Sequence, residues 1–474
     1  MQRIEDLQAE LLADDIPIGE HMLCWSDAQL RAYFESGGAE TPSAPPTPSA
    51  PPSAEGQCAE KLERLELPSA EANELAETKV KCTELREQGN SLLKSGNLEG
   101  AADSYEKALL SSKSLAPADI PAIVSATASN LSLVRLRQRR CEDALTAAEM
   151  CILSRTEWPK GHFRKAEALF ELRRYADAIA AYKKAAELDP ADKNVAAAIQ
   201  IATEALKGGV WFRQLQPGRD IALTQTAEND FERMVFQAAA SMQNFIYLVG
   251  DAATRVCYVV DACWDTRGIA TYAARWKMRI EGSIASHYHF DHTGGKVPAP
   301  FQAMITGPFG GGNAMVPGLH EMAKNIKARI YIHACEVDRI RDSCKLQASE
   351  VEPLKQGHIL PLGDAGRILV LHTPGHSGGS ICLSVQAHSS GANFKPQLLI
   401  VGDTIFPGSC GRLDLPDSDK NAMYDSLLSL RAQDDSLPVY PGHAYSGAST
   451  TIGQEKQNGL LRPFSRQQWL MMHG

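Results

Sequence analysis

The densest chemistry in the chain is the run Ser286-His287-Tyr288-His289-Phe290-Asp291-His292-Thr293-Gly294-Gly295, in which three histidines and an aspartate fall close together. Imidazole and carboxylate are donors that divalent cations take. Burying so many of them would cost several kcal/mol unless a cation offset the charge. The alternating spacing lets His287 and His289 point one way from an extended turn, while Asp291 and His292 point towards a neighbouring position. That pattern suits two metals side by side; the plainer alternative is a solvated, histidine-rich loop. Three more donors follow, each in a glycine-bounded turn: His376 in Thr373-Pro374-Gly375-His376-Ser377-Gly378-Gly379, Asp403 in Gly402-Asp403-Thr404, and His443 in Tyr440-Pro441-Gly442-His443. Any one of these alone reads as an ordinary turn residue. Together with the first cluster they complete five imidazoles and two carboxylates.

Donors so distant in sequence need a frame. Short β-rich runs supply one at Phe245–Val249, Val256–Val260, Arg329–Ile332, Ile381–Val385 and Leu398–Val401, with helix-capable stretches such as Gly318 to Lys327 between them. Strands interleaved with helices predict an α/β layered domain from residue 209 to 474.

On these residues the chain resembles the metallo-β-lactamase superfamily, from roughly Asp220 onward. The resemblance implies an αββα sandwich with the metals at the edge between two sheets. It places His287, His289 and His376 on one metal, Asp291, His292 and His443 on a second, and Asp403 between them, with Asp291 and Asp403 as the catalytic carboxylates. Two such ions acidify water and polarise a carbonyl, so no serine or cysteine nucleophile is needed. Zinc, iron and manganese all suit the donor set. The stretch Gly402-Asp403-Thr404-Ile405-Phe406-Pro407-Gly408-Ser409-Cys410-Gly411-Arg412-Leu413-Asp414 is similar to the glyoxalase II branch, the hydroxyacylglutathione hydrolases, and Thr450 to Lys456 to its short members. By that resemblance Arg412 would pair with a substrate carboxylate, the alternative being a salt bridge to Asp414. Thioester hydrolysis is the expected reaction. The related persulfide dioxygenases, which use a single iron, share much of the motif set, and a non-catalytic scaffold is the reading from outside enzymology. The stretch Gly307 to Asn313 lacks the Gly-Lys-Ser/Thr ending of a phosphate loop. His333 and His372 are among the histidines with no assigned role.

Residues 78–208 are helical in pattern and repeat. Ala101 with Tyr105, Ala144 with Ala148, and Ala178 with Tyr182 each place a small residue four before a second packing residue. The step from Ala144 to Ala178 is one tetratricopeptide period, about 34 residues. The longer step before it fits an insertion at Ser114 to Pro121. Three helical hairpins and a cap helix at Asn194 to Lys207 are expected. The repeats resemble the carboxylate-clamp type. Arg86, Asn90, Asn130, Lys160 and Arg164 match its positions on the first helices of the hairpins, with Arg86 in place of the commoner lysine. The resemblance implies binding of the acidic C-termini of heat-shock chaperones.

Residues 1–38 hold one amphipathic helix, opened by Ser26 and stopped by Gly37-Gly38. Residues 39–77 read as a Pro/Ser/Ala-rich linker. A formal charge of −9, from 48 basic and 57 acidic residues, argues against broad nucleic-acid or anionic-membrane binding. Eleven cysteines, an odd count without a Cys-x-x-Cys pair, suit a reducing compartment, and the cytoplasm is the expected location. The predicted fold class is multidomain: an all-α tetratricopeptide solenoid followed by an αββα sandwich.

Overall fold

The computed structural model describes residues 70–306, 314–389 and 393–473. The helix expected near Ser26, the Pro/Ser/Ala-rich segment and the glycine-rich stretch 307–313 lie outside the described residues. Contacts divide the chain into two units. One runs to Leu172 and includes Glu187–Asp189; the other holds Arg173–Ala186 and everything from Pro190.

The first unit contains α1 (Ala70–Lys94), α2 (Leu98–Ser111), α3 (Ile120–Arg137), α4 (Cys141–Ser154) and α5 (Pro159–Glu171). Helix α1 packs on α2 and α3 on α4, while α1, α3 and α5 are neighbours along one side. The small residues make this approach possible: Ala101, Tyr105, Ala144 and Ala148 are fully buried. Asn97 caps α2, its side chain accepting from the Gly100 N–H at 2.9 Å. Pro121 and Pro159 sit in the first turns of α3 and α5, where a missing N–H costs nothing. The surplus between the first two hairpins forms a short turn at Ser112–Ser114 and a loop anchored by buried Leu115. Helix α1 starts at Ala70 rather than near Thr78. Glu74, Ala76 and Glu77 are good helix formers but exposed, so this extension carries propensity without a buried stripe to reveal it.

The second unit opens with α6 (Tyr175–Leu188), whose last two residues group with the first unit, and α7 (Lys193–Lys207), the expected cap helix. Both are fastened to the sheets that follow. The Tyr175 hydroxyl donates to the Ala253 carbonyl at 2.5 Å, and Arg213 reaches both oxygens of Glu204 at 3.2 Å.

Fourteen strands follow among the described residues: β1 (Val210–Leu215), β2 (Ile246–Asp251), β3 (Val256–Val260), β4 (Arg279–Ile284), β5 (Gly295–Lys296), β6 (Met315–Val316), β7 (Arg329–His333), β8 (Val351–Leu354), β9 (Ile359–Leu362), β10 (Gly366–His372), β11 (Ile381–His388), β12 (Phe394–Gly402), β13 (Pro438–Pro441) and β14 (Thr450–Thr451). One sheet has the order β1-β2-β3-β4-β7-β8, the other β14-β13-β12-β11-β10-β9; β5 and β6 form a separate ribbon. Strands β3, β4, β7 and β8 run parallel, as do β12 and β13.

The two-residue period of a strand sorts side chains between layers. In β2, Tyr247 and Val249 join a core shared with Ile368, Val370 and Leu383 of the other sheet, whereas Ile246 and Leu248 join a second core with Ile269 and Met322. In β12, Leu398 and Ile400 face that shared core, while Leu399 and Val401 pack with Met423 and Leu427 of a helix on the far side. Each sheet is therefore buried on both faces, which gives the four-layer αββα arrangement. The stretch expected as a helix at Gly318 to Lys327 is a single turn, Leu319–Glu321, then a wider turn of π type at Met322–Ile326. It ends where Lys327 takes a left-handed φ of 63°.

Gly89 gives a direct test of the hairpin packing. A Cβ there would stand 2.5–2.9 Å from three atoms of the Tyr105 ring. Gly89→Ala is expected to cost about 1–3 kcal/mol and to lower the urea midpoint of the helical unit, followed by far-ultraviolet circular dichroism. An unchanged midpoint contradicts this packing.

Candidate metal centre

Every donor sits just past the end of a strand. Tight turns after β4, β10, β12 and β13 deliver His287, His376, Asp403 and His443 respectively. His289, Asp291 and His292 ride on the short helical turn Phe290–Thr293 and its lead-in. Because β3, β4 and β7 are parallel, as are β12 and β13, these ends gather at one edge of the sandwich. All seven residues meet there.

Three donor sets form, each with one ligand atom per residue and all its atoms within 4.8 Å: His287, His289 and His376; Asp291, His292 and His443; and His287, His292 and Asp403. His289 Nδ1 lies 2.9 Å from Nε2 of both His287 and His376. His292 Nε2 and His443 Nε2 are 3.2 Å apart. Asp403 stands between the triplets, with Oδ2 3.4 Å from His376 Nε2 and Oδ1 3.4 Å from His292 Nε2. Gly442 is needed beside it, since a Cβ there would collide with Asp403 Oδ1.

The outward nitrogens settle the tautomers. His292 Nδ1 lies 2.9 Å from the Asp261 carboxylate, His443 Nδ1 2.8 Å from the Met242 carbonyl, and His376 Nδ1 2.9 Å from the Arg412 carbonyl. These oxygens accept, so each Nδ1 carries the hydrogen. Ser286 Oγ donates to Asp261 at 2.8 Å and so accepts from His287 Nδ1 at 3.0 Å. Four imidazoles thus turn a lone-pair Nε2 inward when neutral. At His289 one proton on Nδ1 could satisfy only one of its two 2.9 Å neighbours. Asp403 Oδ1 is buried and makes no hydrogen bond. Converging lone pairs and an orphaned carboxylate oxygen fit divalent cations.

Electrostatics point the same way. Burial holds His287 well below the ordinary imidazole range, and burial with His376 lowers His289 to about 4. Burial also opposes charge on His292 and His443, but the carboxylates of Asp291 and Asp403 outweigh it and push them up to about 9 and about 11. Burial raises Asp291 and Asp403 in turn, yet His292 and His443 hold both well below the ordinary carboxylate range. In the metal-free chain, protons on these two histidines neutralise the carboxylates.

Two contributors were not foreseen from sequence. Asp261 accepts from the Ser286 N–H at 2.7 Å as well as orienting His292 and Ser286. It follows the apolar run Val256–Val260 as Asp403 follows Leu398–Val401, and that parallel is the signal that could have found it. Asn244 donates to Asp291 at 3.1 Å and accepts from Trp264 Nε1 at 3.1 Å; a lone asparagine gives no sequence signal. Arg412 braces His376 through its carbonyl. Its exposed guanidinium makes the alternative salt bridge, a two-pronged pair with Asp414 at 2.8 and 2.9 Å.

The five expected clamp residues fall on α1, α3 and α5 of the helical unit. Asn130 Nδ2 donates to Asn90 Oδ1 at 2.9 Å, and the same oxygen receives the Tyr105 hydroxyl at 2.6 Å. Arg86, Asn90, Asn130 and Lys160 are partly exposed, whereas Arg164 is buried.

Comparison with known proteins agrees with this architecture. The metallo-β-lactamase superfamily model matches residues 242–443, and a tetratricopeptide repeat model matches residues 159–192. The cytoplasmic hydroxyacylglutathione hydrolase of Arabidopsis thaliana is 25% identical over 231 residues, 48% of this chain and 75% of the relative. The Bacillus subtilis (strain 168) protein named "Probable polyketide biosynthesis zinc-dependent hydrolase PksB" is 24% identical over 203 residues, 43% of this chain and 73% of the relative. Among solved structures, the first tetratricopeptide domain of Spaghetti bound to an HSP90 peptide matches at 21% identity and a TM-score of 0.25, covering 27% of this chain and 98% of that one. The chain therefore carries a metallo-β-lactamase domain together with a tetratricopeptide repeat. Its relatives on the first of these include glyoxalase II enzymes, and the superfamily implies divalent metal binding.

Two outcomes follow. His292 and His443 are raised above the usual 6.5, so their contribution to the metal-free fold is complete below that pH. It is lost as pH climbs through about 9 and about 11. Cation binding at pH 7 should release the protons of both histidines, and calorimetry in buffers of different ionisation enthalpy counts them. Release of none would refute the charge assignment. Separately, Asp261→Asn should weaken metal affinity by about 10–100-fold, read by competition with a chelator; unchanged affinity would remove Asp261 from the centre.

Proposed function

We propose that the chain is a dinuclear metal-dependent hydrolase of thioesters whose repeat domain binds acidic C-terminal peptides. The observation that carries the hydrolase reading is Asp403, buried between two donor triplets with 3.4 Å approaches to a histidine of each. His287, His289 and His376 would hold one cation, Asp291, His292 and His443 the other, and Asp403 would reach both; zinc, iron and manganese suit this set. Divalent cations held there supply Lewis acidity, which makes water reactive at neutral pH and polarises the scissile carbonyl.

The chain's own residues do the rest. Asp261, Ser286, Met242 and Arg412 fix the imidazoles, so no reorganisation is needed when substrate arrives. Asn244 holds Asp291 by a hydrogen bond. Tyr445 stacks on His443 with centroids 4.5 Å apart and is itself exposed, forming an apolar wall on the solvent side. The exposed pair of Arg412 with Asp414 contributes little to stability, so a substrate carboxylate can take its place. Thioester as substrate class is supported by the hydroxyacylglutathione hydrolases among the relatives.

Two amides and three cations on adjoining helices suit a peptide ending in carboxylates. Tyr105 and Asn130 both bond Asn90 Oδ1, which leaves the Asn90 amide hydrogens to donate outward. The nine described cysteines are free thiols, in keeping with a cytoplasmic location. No helix among the described residues is long and apolar enough to cross a membrane.

The two activities separate by substitution. Asp403→Ala should lower metal content and reduce thioester turnover by more than the about 10–100-fold that losing an outer hydrogen-bond partner costs, while peptide binding persists. Lys160→Glu should leave turnover intact and weaken binding of a peptide ending Glu-Glu-Val-Asp by about 2 kcal/mol or more. Normal turnover in Asp403→Ala would overturn the hydrolase. Metal analysis adds a third measure: two ions are expected at this centre, a single iron there would mean a persulfide dioxygenase, and none a scaffold.

A further inference from the structure

A second group of soft donors lies outside the centre just described. His333 closes β7 in one sheet, and His372 closes β10 in the other. Cys335 sits two residues past His333, in the short helix Ala334–Glu336. The three residues offer ligand atoms that all lie within 4.8 Å of one another. His333 Nδ1 is 2.9 Å from Cys335 Sγ, as close as the imidazole donors of the first triplet are to each other. The two imidazoles stack at 3.9 Å with 9° between their planes, so one ring must turn out of the stack before both in-plane lone pairs can meet one ion. His333 is buried, His372 half-buried and Cys335 exposed, so the group has an open side.

We propose that His333, Cys335 and His372 form a separate mononuclear site for a borderline or soft cation of the Zn²⁺ class. A thiolate with two imidazoles selects such ions over Mg²⁺ or Ca²⁺, and three protein ligands leave a fourth position for water. His372 Nε2 lies 3.0 Å from the Gly378 carbonyl, which can only accept, so Nε2 carries the hydrogen and Nδ1 keeps its lone pair. Neighbouring charge favours a cation as well. Glu336 is buried and has one carboxyl oxygen without a partner, next in sequence to Cys335. Ligation would convert the Cys335 thiol, which donates to the Gly378 carbonyl at 3.4 Å, into a thiolate that cannot donate. The cation replaces that hydrogen bond. Gly378 lies two residues beyond His376, and Glu336 accepts from Ser377 Oγ at 2.6 Å and the Gly379 N–H at 2.9 Å. The site and the loop bearing His376 are thus joined by hydrogen bonds.

Sulfur makes the test specific, because the seven donors of the principal centre include none. Full-length protein, first loaded with Zn²⁺ at the principal centre, is titrated with Co²⁺ and followed by near-ultraviolet absorption. One further equivalent should bind with a thiolate-to-cobalt charge-transfer band that added Zn²⁺ abolishes. Cys335→Ser, a near-isosteric change at an exposed residue, should remove the band without altering the metal already bound. His372→Ala should weaken Co²⁺ binding by about ten-fold or more. Absence of the band in the unmodified protein overturns the site. So does a band that survives in Cys335→Ser, which would assign it to another thiol such as Cys410, whose sulfur feels the charge of Asp403.

Discussion

Nitrogen lone pairs brought within about 3 Å of each other repel, and the metallo-β-lactamase domain is arranged to hold several of them there. Four of the five imidazoles are committed by an acceptor on the outer side: a carboxylate for His292, main-chain carbonyls for His376 and His443, a serine oxygen for His287. With those hydrogens fixed outward, the inner nitrogens cannot rotate to relieve one another. Protons or cations must therefore sit among them, and the carboxylates of Asp291 and Asp403 decide how strongly either is held. Remove the outer acceptors and the inner convergence has no cause.

Strand direction explains why such a congested cluster can form without buried loops. Parallel neighbours end together, so β3, β4 and β7 bring Asp261, Ser286 with His287, and His333 to one edge of their sheet. In the other sheet β12 and β13 bring Asp403 and His443 to theirs. Side chains past the strand ends escape the two-face alternation that keeps the cores apolar. The frame can then be apolar at its last strand positions, Val260, Ile284 or Val401, and polar one or two residues later. The same logic delivers His333 and His372 from opposite sheets to a shared position.

Donor type was legible in the sequence because each donor is out of place by ordinary rules. An aspartate two residues past Leu398–Val401, or histidines at Gly-His turns, stand where apolar burial is ending and solvation has not begun. The sandwich was legible for a related reason: five of its strands are apolar runs too short to be helices. What could not be read is whatever acts through the main chain or through a single ordinary polar residue. The carbonyls of Met242 and Arg412 belong to the fold rather than to residue type, and Asn244 matters only because Trp264 and Asp291 lie on either side of it. For Arg412 the sequence left two pairings open, and the local one with Asp414 is present in the structure.

The tetratricopeptide pattern shows the opposite relation between sequence and contacts. Its period runs through Ala178 and Tyr182, and both are fully buried as the pattern requires. Yet α6 and α7 group by contact with the sheets, held by Tyr175 to Ala253 and Arg213 to Glu204. A helical hairpin needs only some apolar surface to cover its own, and period alone does not say which neighbour supplies it. The side chains that match clamp positions all precede Leu172, within the other unit. The seven metal donors all belong to the unit that holds everything from Pro190. That is the physical ground for expecting a charge reversal in one to leave the chemistry of the other unchanged.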